Sequence, residues 1–333
     1  MKNASGGGGN MTQQEIAKAL GISKTTVSRA ISGKGRIGEE TKNKILKYVK
    51  EHQAEESGIR PTRMLGVALP ADSNINSNHF FSECLYGICE AAAYMDYNVL
   101  VLKVTEGDIS EIINAVEKKK IDAVILLRRM ENDKAMRYLE GVGFPVGLAG
   151  QCVGEAVISV DIDNKGATEE MVTMMIAKGF RRFALILEEI NYVVNRDRYN
   201  GFMDALMKSG ISEKKQYIYT GKVYDNVLEM VMSDILNNKT DCIVCGDDEL
   251  CVRIMSWLQG EGYRIPRDIS IVSLYNGSAL NLMRPSVTAI DTSARSVGTE
   301  LGKQVCSFLL GEKYRKSTLL NYEILIRKST DKI

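Results

Sequence analysis

The chain has 333 residues, 44% of them apolar, and a formal net charge of +1, which is ample for two or three domains with buried cores. No apolar run reaches the roughly 18 residues that a membrane helix needs, and the N-terminus lacks the apolar stretch of a secretion signal. A membrane-spanning or secreted protein is thereby disfavoured, and a cytoplasmic location is expected.

Residues 1–11 are polar and Gly-rich and are expected to form a disordered leader. Thr12 then predicts a helix N-cap, with Glu15 three residues on completing a capping box. Ile16, Ala17 and Leu20 recur at helical spacing until Gly21 stops the helix. Ser23 can cap a second short helix whose inward side is Val27, Ala30 and Ile31. Its other side carries Lys24, Thr25, Ser28 and Arg29, all donors and none acidic. A third amphipathic helix is predicted over 39–52, with Ile45, Leu46 and Val49 closing a small core. Two short helices about a glycine turn make a helix-turn-helix, whose second helix enters the major groove of DNA. Charge separates this from any solvated three-helix module. Residues 1–53 hold ten Lys/Arg and four Asp/Glu, a net of +6, which leaves −5 for the rest. A basic excess confined to one small domain points to a polyanion partner.

The run Ile22-Ser23-Lys24-Thr25-Thr26-Val27-Ser28-Arg29-Ala30, followed by Ile37-Gly38-Glu39-Glu40-Thr41, resembles the headpiece of the lac repressor/galactose repressor family of bacterial transcription regulators. The resemblance implies a DNA-binding domain at 12–53 with double-stranded operator DNA as its partner. It places Lys24 and Thr25 at the positions that choose bases, with Arg29 a further base or phosphate contact. Ser23, Thr26 and Ser28 complete the DNA-facing set. Arg suits a bidentate bond to guanine, Lys suits guanine or phosphate, and Thr offers a hydroxyl or a methyl group. Phosphate contacts alone would position the protein without specifying sequence.

Residues 54–62 are polar, contain a Gly and a Pro, and read as a short linker. Here the chain departs from the family, whose members carry an Asn-Pro-x-x-Ala-Arg-x-Leu-like run forming a hinge helix that wedges apolar side chains into the minor groove. Nothing equivalent lies between Gln53 and Met64.

From Arg63 onward, short Val/Ile/Leu runs alternate with amphipathic segments. Strands are predicted at 64–69, 99–104, 123–127 and 146–149, with helices near 80–94, 109–118 and 133–141 between them. The rhythm restarts at 157–160. Helices then fall near 168–177, 197–209, 227–236, 250–259 and 296–310, and strands near 183–187, 217–219, 242–245, 269–274 and 287–290. Two terminal strands end the chain. Continuous apolar strands separated by helices imply parallel sheets covered on both faces. The fold class is therefore a small all-α helix-turn-helix headpiece plus an α/β two-lobed domain (63–333) like that of periplasmic sugar-binding proteins. Residues 63–161 plus about 290–318 are expected in one lobe, and 162–289 plus the tail in the other. Ligands of such sheets bind beyond the strands' carboxyl ends, here between the lobes.

The resemblance continues through this half. Asn78-His79-Phe80-Phe81 resembles the first cleft loop, and Asp163-Asn164-Lys165-Gly166-Ala167 the segment opening the second lobe. Arg198-Tyr199-Asn200-Gly201-Phe202 resembles the Arg-x-x-Gly-Phe run whose arginine contacts the effector. Cys245-Gly246-Asp247-Asp248-Glu249-Leu250 resembles a run usually written with Asn-Asp at its centre, so Asp247 stands where the family often has Asn. Tyr275, followed by Asn276, stands where sugar-binding members often have Asp. The resemblance thus implies an effector site drawn from His79, Phe81, Arg198, Asp247, Asp248, Tyr275 and Asn276. Arg198, expected at a helix start, offers a planar fork for vicinal hydroxyls or a carboxylate, unless it pairs at the surface with Asp197 or Asp204. Asp247 and Asp248 also suit helix N-capping. The exchanges favour a small polar effector with several hydroxyls or an amine over a simple hexose.

The seven cysteines are scattered through apolar segments and read as reduced thiols. Cys242-Ile-Val-Cys245 has metal-ligand spacing, but in a strand its thiols point to opposite faces, and no second cluster completes a site. No metal and no cofactor are expected. No nucleophile elbow or P-loop is present, so an enzyme is not expected. A transport-type solute-binding protein explains the two lobes but not the headpiece, and an α/β enzyme working in the cleft has no visible catalytic set. The chain reads as a homodimeric transcriptional repressor controlled by a sugar or related polar metabolite. Without a hinge helix, its operator should be bent less than those of typical members, and changes to the central base pairs should matter little. Gel phasing assays measure this, and a strong central kink would contradict it.

Overall fold

In the computed structural model, the structure describes residues 12–32, 37, 38, 41, 42, 44, 45, 48, 49, 61–71, 79–152 and 157–331. The leader, linker residues 54–60 and Leu46 therefore lie outside the described residues, as does the missing hinge helix.

The headpiece folds where local signals say it should. Helix α1 (Gln13–Leu20) starts at Thr12, whose hydroxyl accepts from the Glu15 amide while the Glu15 carboxylate accepts from the Thr12 amide at 2.8 Å. It ends at Gly21 with φ 67°, a left-handed conformation that glycine adopts without penalty. Helix α2 (Lys24–Ser32) starts at Ser23, which accepts from the Thr26 amide at 3.1 Å. Ile16, Ala17, Val27, Ala30 and Ile45 are buried together, with Leu20, Tyr48 and Val49 packed at the margin. The described positions 41, 42, 44, 45, 48 and 49 are helical, within the third predicted helix. Ile31 departs from expectation. It is 44% exposed, because the last turn of α2 runs past the edge of so small a core.

Beyond residue 61 the chain builds two sheets. The first is assembled from β1 (Met64–Pro70), α3 (His79–Tyr94), β2 (Asn98–Val104), α4 (Ser110–Glu117), β3 (Ala123–Leu126), α5 (Lys134–Gly141), β4 (Val146–Ala149) and β5 (Val157–Ile162). The second follows as α6 (Asn164–Ala177), β6 (Phe183–Leu187), α7 (Val193–Lys208), β7 (Tyr217–Thr220), α8 (Asp225–Asn237), β8 (Cys242–Cys245), α9 (Asp248–Gly260), β9 (Ser270–Ser273), α10 (Ser278–Leu282) and β10 (Thr288–Asp291). The chain then returns as α11 (Ala294–Leu310) and β11 (Ser317–Leu320), and ends with β12 (Glu323–Leu325). Strand orders are β11-β5-β4-β3-β1-β2 and β12-β10-β9-β8-β6-β7. Pairing is parallel throughout except β12, which runs antiparallel to β10.

Each sheet is buried on both faces, which is why its strands read as unbroken apolar runs. In the first lobe α3 and α11 cover one face and α4 and α5 the other. In the second, α6 and α7 cover one face and α8 and α9 the other. Cys242 and Cys245 fall in the cores on opposite faces of the second sheet, as strand alternation requires. The chain passes between lobes three times, after Ile162, after Asp291 and after Leu320. The second passage comes slightly later than expected, because β10 is consumed whole by the second sheet.

Glycine sets the tightest packing. A Cβ at Gly298 of α11 would lie 2.0 Å from the Cys84 carbonyl oxygen of α3, and one at Gly87 of α3 would lie 2.1 Å from that of Arg295. The second lobe repeats the device, with a Cβ at Gly201 of α7 falling 2.1 Å from the Lys165 carbonyl oxygen of α6. Gly298→Ala is accordingly expected to lower stability by about 1–3 kcal/mol or more, since backbone atoms must separate. Gly260→Ala, with nothing within 4 Å, should be near neutral. Urea denaturation of both variants checks the contrast.

Candidate functional site

Two places concentrate exposed or enclosed polar groups. The first is the outer side of α2. Ser23, Lys24, Thr25 and Arg29 are exposed, Thr26 and Ser28 half-buried, and the helix has no acidic residue in its first turn. The hydroxyls of Ser23 and Thr26 hydrogen-bond each other at 2.8 Å, so both also serve the helix cap. The free amides of the first turn and the helix dipole add to the positive face.

The second is a cavity of about 120 Å³ between the lobes. Phe80, Phe81, Arg128, Arg129, Gln151 and Asp161 line it from the first lobe, and Asn164, Glu188, Tyr192, Asn195, Arg198, Asp247 and Tyr275 from the second. Arg198 is its deepest cation. Its Nη1 donates to the Gly246 carbonyl at 2.9 Å and its Nη2 to the Leu274 carbonyl at 3.4 Å. Its Nε is buried without a hydrogen-bond partner.

Three carboxylates share this space. Asp247 caps α9, accepting from the Leu250 amide at 2.8 Å, and burial pushes its pKa up to about 6. Burial likewise pushes Asp161 up to about 6, even though the Asn164 side chain donates to it at 3.1 Å. Glu188 is raised to about 7, by burial first and then by the charges of Asp247 and Glu249.

Side chains and main chain tie the lobes around the cavity. His79 Nδ1 lies 3.0 Å from Asp248 Oδ2, and the rings of Phe80 and Tyr275 meet edge to face at 5.9 Å. A Cβ at Gly277 would lie 1.6 Å from that same Asp248 oxygen, so only glycine leaves room for the pair. On another side the Glu131 amide donates to the Asn191 carbonyl at 2.9 Å and the Val193 amide to the Arg129 carbonyl at 3.1 Å. Met130 and Tyr192 form the antiparallel bridge between them. Arg196 pairs with Glu131 beside it, and the Arg128 guanidinium lies 4.3 Å from the Tyr192 ring centroid.

Comparison with known proteins places this architecture. Residues 12–53 match the family model described as bacterial regulatory proteins, lacI family. Residues 62–320 match that of periplasmic binding proteins and the sugar binding domain of the LacI family. The chain belongs to the LacI family. It is 25% identical to catabolite control protein A of Priestia megaterium over 339 residues, covering 96% of this chain and 99% of that one. To the HTH-type transcriptional regulator AglR of Rhizobium meliloti it is also 25% identical, over 95% and 93% of the two chains. Among solved structures, the transcriptional regulator CelR–cellobiose complex superposes with a TM-score of 0.72 at 20% identity, over 96% and 99% of the chains. CcpA of Lactococcus lactis superposes with a TM-score of 0.70 at 22% identity, over 80% and 99%. These relatives are transcriptional regulators, not enzymes, and this chain is a LacI-family transcriptional regulator. No described helix is long and apolar enough to cross a membrane.

Within that LacI-family frame, the structure brings Phe81, Arg198, Asp247 and Tyr275 together at the cavity. It sets His79, Asp248 and Asn276 outside the cavity wall. His79 and Asp248 are engaged with each other across the cleft, because Asp248, one residue past the cap, points round α9 toward the start of α3. Asn276 donates to Asp291 at 2.9 Å and accepts from Arg327 at 2.9 Å, tying the end of β10 to the chain beyond β12. Arg198 is not at a helix start. Helix α7 begins at Val193, so Arg198 lies in its second turn and reaches inward, with neither Asp197 nor Asp204 as partner. Sequence reasoning missed Phe80, Arg128, Arg129, Gln151, Asp161, Asn164, Glu188, Tyr192 and Asn195 as walls. The expectation that such loops follow strand ends was a signal for Glu188, which directly succeeds β6.

Raised folded-state carboxylate pKa values have a definite sign. The native state binds more protons than the unfolded state between the ordinary carboxylate range and about pH 7, so stability falls as pH rises through that window. Glu188→Gln should therefore stabilise the ligand-free protein at pH 8 by on the order of 1 kcal/mol, and by less at pH 5.5. Urea denaturation at the two pH values reads the difference.

Proposed function

We propose that this LacI-family regulator is a repressor that reads operator DNA through α2 and is controlled by a small polar effector, a sugar or related metabolite, held between the lobes. The observation that carries the reading is a cavity at the carboxyl ends of two parallel sheets, with Asp161, Glu188, Arg198 and Asp247 set among apolar walls, in the same chain as an acid-free helix-turn-helix face. In this reading Lys24 and Thr25 contact bases, Arg29 contacts a base or phosphate, and Ser23, Thr26 and Ser28 approach the backbone. A single short headpiece buries little DNA surface, so two heads of a homodimer on a pseudo-palindrome supply the affinity. Effector binding favours one arrangement of the lobes and thereby changes operator affinity through a coupling free energy of roughly 1–3 kcal/mol.

Arg198 lines the cavity while holding two strand-end carbonyls, so a ligand that touches it is linked to the tips of β8 and β9. Selection of bound DNA followed by operator titration with a metabolite panel tests the whole reading. Lys24→Ala or Thr25→Ala should change which sequences are preferred, at about 1–3 kcal/mol per lost base contact. Uniform weakening on every operator would instead assign that residue to phosphate. Arg198→Lys keeps a cation but loses the fork, and should cut the effector response more than tenfold while operator affinity without effector stays near that of the parent. An unchanged response would overturn the cleft assignment.

A further inference from the structure

The chain that carries the headpiece joins the first lobe at one fixed point. Asp122, just before β3, accepts from the Thr62 amide at 2.9 Å, the Thr62 hydroxyl at 3.0 Å and the Arg63 amide at 2.8 Å. The Arg63 carbonyl accepts from the Asn98 amide at 2.8 Å, and its guanidinium lies 5.1 Å from the Tyr97 ring centroid. These contacts fasten the tether to the edge where β1, β2 and β3 begin, away from the cavity at their carboxyl ends. Eleven residues, 50–60, separate this point from Val49 of the headpiece, a span of at most roughly 40 Å.

That edge is basic. Lys118, Lys119 and Lys120 follow α4 and stand two to four residues from Asp122, while Lys313, Arg315 and Lys316 lead into β11. The Lys316 carbonyl accepts from the Ser159 amide at 2.8 Å, which pins the second run beside β5. Strand β11 lies three places from β3 in the sheet, about 15 Å at the usual strand spacing. About four base pairs of DNA cover that distance. All six side chains are exposed, and among the described residues none of them donates to a carbonyl or pairs with a carboxylate. The acids in the same turns are Asp96, Glu117, Glu312 and Asp122, the last of them spent on Thr62 and Arg63.

The opposite end of the molecule shows such cations in structural use. Where the second sheet begins, Arg181 donates to the Ile176 and Phe180 carbonyls, Arg182 to that of Asn238, and Arg264 pairs with Asp268. Helix-dipole compensation falls off within a turn. It reaches Lys118 but not Lys313, Arg315 and Lys316, which lie three to six residues past the end of α11.

We infer that this edge is a second DNA-facing surface, on which Lys118, Lys119, Lys120, Lys313, Arg315 and Lys316 hold phosphates of the duplex that α2 reads. The inference rests on the operator reading given above and adds a contact to it. Linker residues 54–60 set Glu55 and Glu56 against Arg60, so positive charge resumes only where the chain meets the body. A duplex gripped by the head is held at high local concentration beside the edge, which needs little affinity of its own. Screening over about 8 Å at physiological salt requires the contacts to be direct. Phosphate contacts add affinity without sequence preference.

Fluorescence anisotropy on the full chain tests this, using the duplex obtained by selection and a scrambled duplex of equal length, between about 50 and 200 mM salt. K118Q/K119Q/K120Q and K313Q/R315Q/K316Q should each bind both duplexes at least threefold more weakly than the parent. Their log–log salt slopes should be shallower by about 0.9 per phosphate released. K214Q/K215Q/R267Q removes the same charge at the opposite end and should stay within twofold of the parent. All nine positions are exposed, so the parent's urea midpoint should be kept. Parent-like affinity and slope in both edge variants, an equal loss in the opposite-end variant, or a changed preference between the duplexes would overturn the inference. Weakened binding by Lys24→Ala beside parent-like edge variants would do so while leaving the operator reading intact. A parent chain that selects no duplex would sink both.

Discussion

Everything in the two-lobed half turns on a problem that parallel sheets create for themselves. Their strands all end at one edge, so carbonyl oxygens and capping carboxylates accumulate there, and facing two such edges concentrates acceptors that donors from elsewhere in the fold must satisfy. Arg198 answers this from within the fold. One guanidinium bridges the Gly246 and Leu274 carbonyls, joining the tips of β8 and β9, and sets a positive charge among Asp161, Asp247 and Tyr275. Burial works against that charge while the two aspartates support it. The cation and the carboxylates are therefore one electrostatic unit, and the shape of the cavity follows from holding that unit out of water.

The lobes themselves are stiff where they would most easily yield. Helices α6 and α11 are the first elements after two of the three passages between lobes, and each is pressed against a neighbour at backbone distance through a glycine. Motion that begins at a passage cannot be absorbed by these helices without prying apart main-chain contacts. The described chain crosses between the lobes after Ile162, Asp291 and Leu320, and Asn276 ties Asp291, at the second crossing, to Arg327.

Much of this was legible in the sequence because the deciding signals are local. Thr12, Glu15, Gly21 and Ser23 define the headpiece helices through caps that need only neighbouring residues. The strands were legible because two-sided burial leaves no polar alternation. The cleft was harder. Sequence tells which end of a strand a residue follows but not which way its side chain turns, so Asp247 and Asp248 looked equivalent although only Asp247 lines the cavity. Tyr192-Val193-Val194 reads as extended chain, which hid the first turn of α7 and with it the depth of Arg198. Glu188 belongs to no motif, and only its place directly after β6 marked it as a wall of the cavity.

The antiparallel bridge between residues 129–131 and 191–193 differs in kind from the other ties across the cleft. Its two hydrogen bonds join amide to carbonyl, so the side chains there contribute nothing to the bonds themselves. Such a clasp is invisible to alanine scanning and indifferent to drift in the residues that form it. It also makes the cleft asymmetric. The flank at His79 and Asp248 is held by side chains that one substitution can remove, whereas the flank at Met130 and Tyr192 keeps two backbone hydrogen bonds even when the Arg196–Glu131 pair is removed. Sequence change can therefore untie the first flank one side chain at a time, while the second keeps its main-chain bonds.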